Sequence, residues 1–370
     1  MLRCAAAQQA PAASLWHYGG FLDFGYLYDS NNPSNHLFRD RATTPVVNQP
    51  NVNMGDLYLK KDANEHSRWG MELNLDAGKD TEAFAFSATA PNLPGSKWLR
   101  HLGPTDVSYL APVGSGLTVQ AGIFSSLIGY DSFYAKDNLS YTFPWGADYT
   151  PYLMMGVNGA YSFNRKFTGT LALINGYSHL ADANHAPTVV GQGAYKANER
   201  VTLKETVLYG AAQSDTSLTY WRFLSDTTLE RKTSRFTTAF EYQVGTEQVA
   251  LPGNGRALWM SSQLPFHLVV RGPWSVTFRP EFCWDRDGRW TGSPQLVRAI
   301  TTTLEYRVPF RWTTTILRLE HRYDNSSGSG GGFYRDGAIN PDGMPELTPG
   351  QNLLVVGVIF TLDSPVRHQP

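Results

Sequence analysis

Between Arg311 and Asp324 the chain reads RWTTTILRLEHRYD. With a period of two, Thr313, Thr315, Leu317, Leu319, His321 and Tyr323 fall on one face, and Thr314, Ile316, Arg318, Glu320, Arg322 and Asp324 on the other. Four successive charged positions alternating in sign predict an ordered polar ladder facing a confined, wet space, with the apolar groups turned the opposite way. That is the polarity of a barrel in lipid. An amphipathic strand of a soluble sheet fits this one stretch equally well, so the rest of the chain has to decide.

The pattern recurs along the chain. His17 to Tyr28 places Leu22, Phe24, Tyr26 and Tyr28 opposite Asp23 and Gly25, and Arg68 to Gly78 places Trp69, Met71, Leu73, Leu75 and Ala77 opposite Arg68, Glu72, Asn74 and Asp76. Further strands are expected at 51–61, 105–113, 117–126, 152–163, 167–177, 188–196, 201–210, 219–230, 235–244, 256–269, 274–285, 296–307 and 352–362, about sixteen in all. Connectors one, three, five and the last (29–50, 79–104, 127–151, 325–351) are long, while those at 114–116, 164–166, 197–200, 272–273 and 308–309 are short. Long loops on one side and tight turns on the other mark an outer-membrane barrel. The fold expected is therefore all-β: a transmembrane antiparallel up-and-down barrel over 17–363, with a processed or flexible N-terminus at 1–16 and a tail at 364–370.

Trp274 to Asp285 tests the length. Trp274, Val276, Phe278, Phe282 and Trp284 share one face, and the two indoles are ten residues apart. At ~3.3 Å per residue and a tilt of roughly 40° this spans about 25 Å, the height of a lipid-facing band. Trp69, Trp274 and Trp284 are the expected membrane-girdle residues. Two positions break the pattern: Pro280 on the outer face of its strand, and Glu205 among Leu203, Val207 and Tyr209.

Composition narrows the classes. Aromatic residues make up 13% of the 370 and charged residues 17%, below the ~25% usual in soluble domains. A net charge of -1 provides no basic field for a nucleic acid backbone. No run of ~18 apolar residues occurs, so a membrane reading has to be a β one. The Ala-rich start MLRCAAAQQAPAAS resembles the end of an export signal. Cys4 and Cys283 are too few for a disulfide scaffold or a metal site, and Arg3 makes Cys4 a poor lipid acceptor.

With these residues laid out, the chain resembles the beta-barrel porin-2 family of OmpL-like outer-membrane porins from Tyr18 to Asp363. The resemblance rests on GFLDFGY at Gly20 to Tyr26, GIFSSLIGYD at Gly122 to Asp131 with Asn138 and Ser140, INGY at Ile174 to Tyr177, RPEFCWDRDG at Arg279 to Gly288, and RLEHRYDNS at Arg318 to Ser326. It implies a water-filled channel for small polar solutes or ions, with outer-membrane lipids as surroundings and neither catalytic residue nor cofactor. General porins are commonly homotrimers, but no motif here settles the oligomer.

The functional candidates follow. Arg279, Glu281, Arg298, Arg318, Glu320, Arg322, Asp324, Glu72 and Asp76 are expected to line the pore. The 128–151 connector, rich in aromatics and carrying Asp131, Lys136, Asp137 and Asp148, is expected to fold inward and set carboxylates against wall arginines. The alternative is an exterior cap, and the wall charges also suit a bracing role. Asp285 to Gly288 (DRDG) reads as a turn rather than a calcium loop, and SGSGGG at 327–332 as a flexible loop rather than a phosphate cradle. His179 and His185 lack metal-ligand spacing. A barrel lipase centred on His321, and a plugged or scaffolding barrel, are the rival readings, although G-x-S-x-G is absent.

Overall fold

The structure is a computed structural model that describes residues 15–83, 96–177, 180, 186–211, 220–249, 255–340 and 343–363. Cys4, His179, His185 and the 364–370 tail lie outside the described residues. Strands β1 (Trp16–Asp29), β2 (Pro50–Lys61), β3 (Trp69–Ala77), β4 (Thr105–Ala111), β5 (Leu117–Ser125) and β6 (Leu153–Ser162) follow one another around the sheet. Next come β7 (Phe167–Ile174), β8 (Thr188–Asn198), β9 (Val201–Ala211), β10 (Trp221–Lys232), β11 (Phe236–Gln248), β12 (Arg256–Gln263) and β13 (Phe266–Arg271). The chain continues through β14 (Trp274–Asp285), β15 (Gln295–Phe310), β16 (Thr313–Ser327), the small hairpin β17 (Phe333–Ile339) and β18 (Pro345–Thr348), and β19 (Gly350–Asp363).

Antiparallel pairing of β1 with both β2 and β19 closes the sheet. β12 and β13 both lie between β11 and β14, so they form one interrupted stave and the barrel has sixteen. Closure gives every stave a neighbour on each side, which is the condition for a sheet to cross lipid. Pro280 is accommodated at that interruption: the ladder skips Leu264 and Pro265 opposite Arg279 and Pro280, and the Leu264 amide donates to the Pro280 carbonyl at 3.1 Å. The missing proline donor therefore falls where no ladder bond is made.

Outside and inside are as the two-residue period predicts. Leu317, Leu319, Phe278, Leu22, Phe24 and Tyr26 stand on the outer surface, while Arg318, Glu320, Arg322 and Asp324 point into the barrel. Trp69 and Trp274 are half-exposed on the outer face, and Trp284 also faces outward. Glu205 faces out as well, with the Ser225 hydroxyl donating to it at 2.7 Å and the Thr227 hydroxyl donating to its other oxygen. Two neighbouring hydroxyls thus serve the one carboxylate that broke the apolar pattern of β9.

The short connections are at one end, which places that end in the periplasm and the long loops outside. Arg311, at φ 54°, turns the hairpin between β15 and β16. At the opposite end the Asp285 carboxylate accepts the Arg289, Trp290 and Thr291 amides at 2.8 to 2.9 Å, making DRDG the start of a bonded loop.

A transverse loop disc across the barrel

Loop 126–152 turns inward and crosses the barrel, carrying the 3-10 turn Ala135–Asp137 and the short helix α1 (Trp145–Asp148). Its aromatic side chains find an apolar lining that only the loop itself completes. Phe133, Tyr141, Phe143, Trp145, Tyr149 and Tyr152 are buried against Phe21, Leu27, Val297, Ala299, Leu353 and Val355 of the wall. A second buried cluster joins Ile128 to Phe124, Met154, Ile174, Tyr177, Val190, Leu208, Leu224 and Trp259. Inward side chains of the extracellular half are dry around the circumference: Leu27, Val190, Leu224, Leu353 and Val355 are each 0% exposed.

The charged ladder grips the backbone of this loop. Arg318 donates to the carbonyls of Ala135 at 2.6 Å, Asn138 at 2.6 Å and Ser140 at 3.0 Å, and to Glu305 at 2.8 Å. Glu320 accepts the Tyr141 amide at 2.6 Å, the Thr142 amide at 3.0 Å and the Thr303 hydroxyl at 2.7 Å. Arg322 donates to the Phe143 carbonyl at 2.8 Å and pairs with Asp324 and Glu281, both at 2.9 Å. Glu281 accepts the Trp145 amide at 2.6 Å, and Asp324 accepts the Trp145 indole N–H at 2.8 Å. An irregular backbone inside a barrel has many amides and carbonyls to satisfy, and alternating cations and carboxylates supply both kinds of partner.

The second long loop locks the disc from above. Arg41 pairs with Asp148 at 2.7 Å, both side chains fully buried, and also donates to the Phe143 carbonyl at 2.7 Å. The Thr43 hydroxyl donates to Asp148 at 2.6 Å. Burial pushes the Asp148 carboxyl above its ordinary range, against the pull of Arg41 and Thr43, and burial likewise raises Asp131.

The predicted residues are thus gathered, but in a different role. Arg279, Glu281, Arg318, Glu320, Arg322 and Asp324 face inward as expected, yet they are packed beneath the loop rather than presented to water. Asp76 is also inward and buried, accepting the Tyr134 hydroxyl at 3.2 Å, whereas Glu72 stays partly exposed and pairs with Lys60 at 3.0 Å. Asp131 accepts from the Gln263 amide, and Lys136 and Asp137 pair with each other at 2.9 Å. No carboxylate-arginine field across open water results from these contacts. Arg298 requires a correction: it faces outward with Ile300 and Leu304, beside Phe282 and Trp284. Its inward neighbours are Val297 and Ala299, which pack on the loop disc, so at this end of β15 apolar residues occupy both faces and polarity no longer reports direction.

The role of two glycines is not readable from the sequence. Gly25 and Gly357 lie opposite each other on β1 and β19, and a Cβ on either would come within 2.4 Å of Tyr141. Their bare backbones form the seat for that ring, whose hydroxyl donates to Asp23 at 2.6 Å and accepts from Asn53 at 2.7 Å. Gly357→Val is expected to unseat the loop at a cost of about 1–3 kcal/mol. A lowered unfolding midpoint together with larger currents in planar bilayers would register it.

Below the disc, two neighbouring hollows of about 600 and 420 Å³ flank Asp137, Asn138 and Leu139. They are lined by Glu230, Lys232, Arg235, His267, Glu305 and Arg307. Among the described residues no group of three metal-ligating side chains occurs.

A closed sixteen-stave barrel with an apolar exterior and an inward-folded loop defines an outer-membrane channel. The chain belongs to the family described as "Putative beta-barrel porin-2, OmpL-like", which matches residues 16–362, and it is an outer-membrane porin. No curated protein matches the sequence at a significant level. Solved structures share the fold at low identity. The outer membrane channel DcaP of Acinetobacter baumannii has TM-score 0.57 at 12% identity, covering 97% of this chain and 100% of that one. An anion-selective porin from Comamonas acidovorans has TM-score 0.55 at 11% identity over 94% and 98%. The trimer form of Vibrio cholerae OmpT has TM-score 0.55 at 10% identity over 93% and 98%.

Proposed function

We propose that this porin is gated: the loop disc closes the barrel in the conformation described, and small polar solutes or ions pass when it loosens from the wall. One observation carries the reading, the dry ring of inward side chains around the extracellular half. Beneath that ring the interior opens into a polar vestibule, so loosening of the disc would join two wet compartments. Planar bilayers provide the test. Brief, stepwise openings from a mostly closed baseline are expected, whereas a permanently silent bilayer with well-folded protein would favour a sealed scaffold.

Acidification should hold the disc shut. Burial raises the Asp40 carboxyl from its ordinary 3.8 to about 6, opposed by Arg39 and reinforced by Asp285, and burial also raises Asp80, Asp131 and Asp148. A group whose docked pKa lies above its free value binds more protons when docked. The closed arrangement is therefore favoured below the free value and loses that contribution as pH rises through about 6. Open probability should fall on going from about pH 7 to about pH 5, and Asp40→Asn should blunt the response.

The chain is read as non-catalytic. His321, the one lipase candidate, stands on the lipid side between Leu319 and Tyr323, across from Thr302 and Leu354. A homotrimer is the assembly we favour. An outer apolar hollow of about 630 Å³, formed by Gly20, Leu22, Gly55, Leu57, Phe360 and Leu362, suits a second copy of this chain, and Vibrio OmpT of the same fold is described in trimer form. Cross-linking in detergent should capture trimers, with Leu57→Lys dispersing them.

A further inference from the structure

We propose that the periplasmic rim from β6 round to β16 binds the phosphate headgroups of anionic phospholipids in the inner leaflet, through a ring of unpaired cations set just beyond an aromatic belt. The cations are Arg165 and Lys166 between β6 and β7, Arg200 between β8 and β9, Arg271 at the end of β13, and Arg311 between β15 and β16. All five are exposed, and none forms an ion pair among the described residues. In the turns 163–166, 199–200, 233–235, 272–273 and 311–312, Glu199 is the sole carboxylate.

Depth is what makes this rim a headgroup site rather than a merely basic surface. Aromatic rings mark the membrane-water boundary, and here they flank the cations in sequence: Phe163 and Phe167 bracket Arg165 and Lys166, and Phe310 and Trp312 bracket Arg311. Phe163, Phe310 and Trp312 are each more than 60% exposed, at 63%, 64% and 63%, so most of each ring is available to lipid. Several are also held in place by the barrel: Phe163 lies 5.6 Å from Phe167, and Trp274 lies 4.5 Å from Tyr306. The Arg311 guanidinium sits 5.3 Å over the Phe310 ring. A cation one residue beyond the belt lies at the level of lipid phosphates.

The ring is also asymmetric. The turn 112–116, PVGSG, carries no charge, and at 62–68 the single cation Arg68, which donates to the Leu110 carbonyl at 3.1 Å, is outnumbered by the carboxylates Asp62 and Glu65. The uncharged turn joins β4 to β5, next to β3, which with β1, β2, β16 and β19 carries the apolar hollow; if that hollow is a subunit contact, Arg165, Lys166, Arg200 and Arg271 keep to the arc left to lipid, and Arg311 stands at its edge, two residues from Thr313.

The experiment uses the purified full chain in phosphatidylcholine vesicles containing a minor fraction of either brominated phosphatidylglycerol or brominated phosphatidylcholine. Quenching of Trp274 and Trp312 is read as the difference between the protein and its W274F/W312F variant. Local enrichment of phosphatidylglycerol of about fivefold beside each reporter is expected, since a rim cation contributes about a fivefold preference at low salt, and it should decline as ionic strength rises. It should be abolished in the R165Q/K166Q/R200Q/R271Q/R311Q variant, whose folding is checked independently by its heat-modifiable gel position. Equal quenching by the two lipids overturns the proposal, as does a preference that survives in the folded variant. Tight binding of soluble polyphosphate by detergent-solubilised protein without lipid preference in vesicles would also overturn it, assigning the ring to a free polyanion.

Discussion

Arg318→Ala is expected to convert a mostly closed barrel into a conducting one. The substitution removes donors from the Ala135, Asn138 and Ser140 carbonyls at once and takes a cation from Glu305, which keeps only Arg307. Breaking a buried, bonded charge costs about 3–5 kcal/mol, because the groups left behind stay buried without partners. That is enough to invert an equilibrium in which the open form is a small minority. The loss can be relieved by the loop leaving the wall, so much of it should appear as gating rather than as global unfolding. Glu320→Gln should act in the same direction but less strongly, since a carboxamide oxygen can still accept one of the Tyr141 and Thr142 amides. Arg298→Ala is the control: it removes an arginine from the adjacent strand, but from the outer face, and should leave currents unchanged. Closed-state currents in Arg318→Ala indistinguishable from those of the unaltered protein would refute the lock.

Leu319→Arg should produce the largest defect in assembly. Leu319 stands on the outer surface at 49% exposure, paired across to Leu304 and Val356, in a strand whose outer positions run from Thr313 to Tyr323. Arginine on the lipid face costs about 2–4 kcal/mol near the bilayer midplane and about 0–1 kcal/mol near its edges. Phe310→Arg, beside the periplasmic turn, therefore serves as the matched comparison. The folded fraction after insertion into vesicles, read by gel mobility and by urea unfolding, should be much lower for Leu319→Arg. Equal values for the two would mean that this face does not contact acyl chains.

Strand positions were legible because a barrel in lipid imposes the simplest pattern there is. Every second residue meets acyl chains, and β16 and β14 obey that rule along most of their length. The inward-folded loop was legible for a related reason: a long connector dense in Phe, Tyr and Trp has to bury those rings somewhere. Legibility failed where the interior stops being polar. Val297, Ala299, Leu353 and Val355 point inward into a dry cluster, so the outward Arg298 was placed on the wrong side of its strand. Gly25 and Gly357 were invisible for a different reason. Their importance is the absence of a side chain opposite one particular ring, and nothing near either of them in sequence mentions Tyr141.

What the chain determined by itself is a barrel with its greasy side out, because alternation is a property of neighbours in sequence and needs only the knowledge that lipid lies on one side of each strand. What the tertiary structure decided is the use of the charges inside. Arg318, Glu320, Arg322 and Asp324 look the same in sequence whether they face water or a loop backbone. They differ only in what stands opposite, and here that is the 126–152 loop, more than 170 residues away along the chain. A charge takes its role from the partner that replaces its water, and only the fold brings that partner into place.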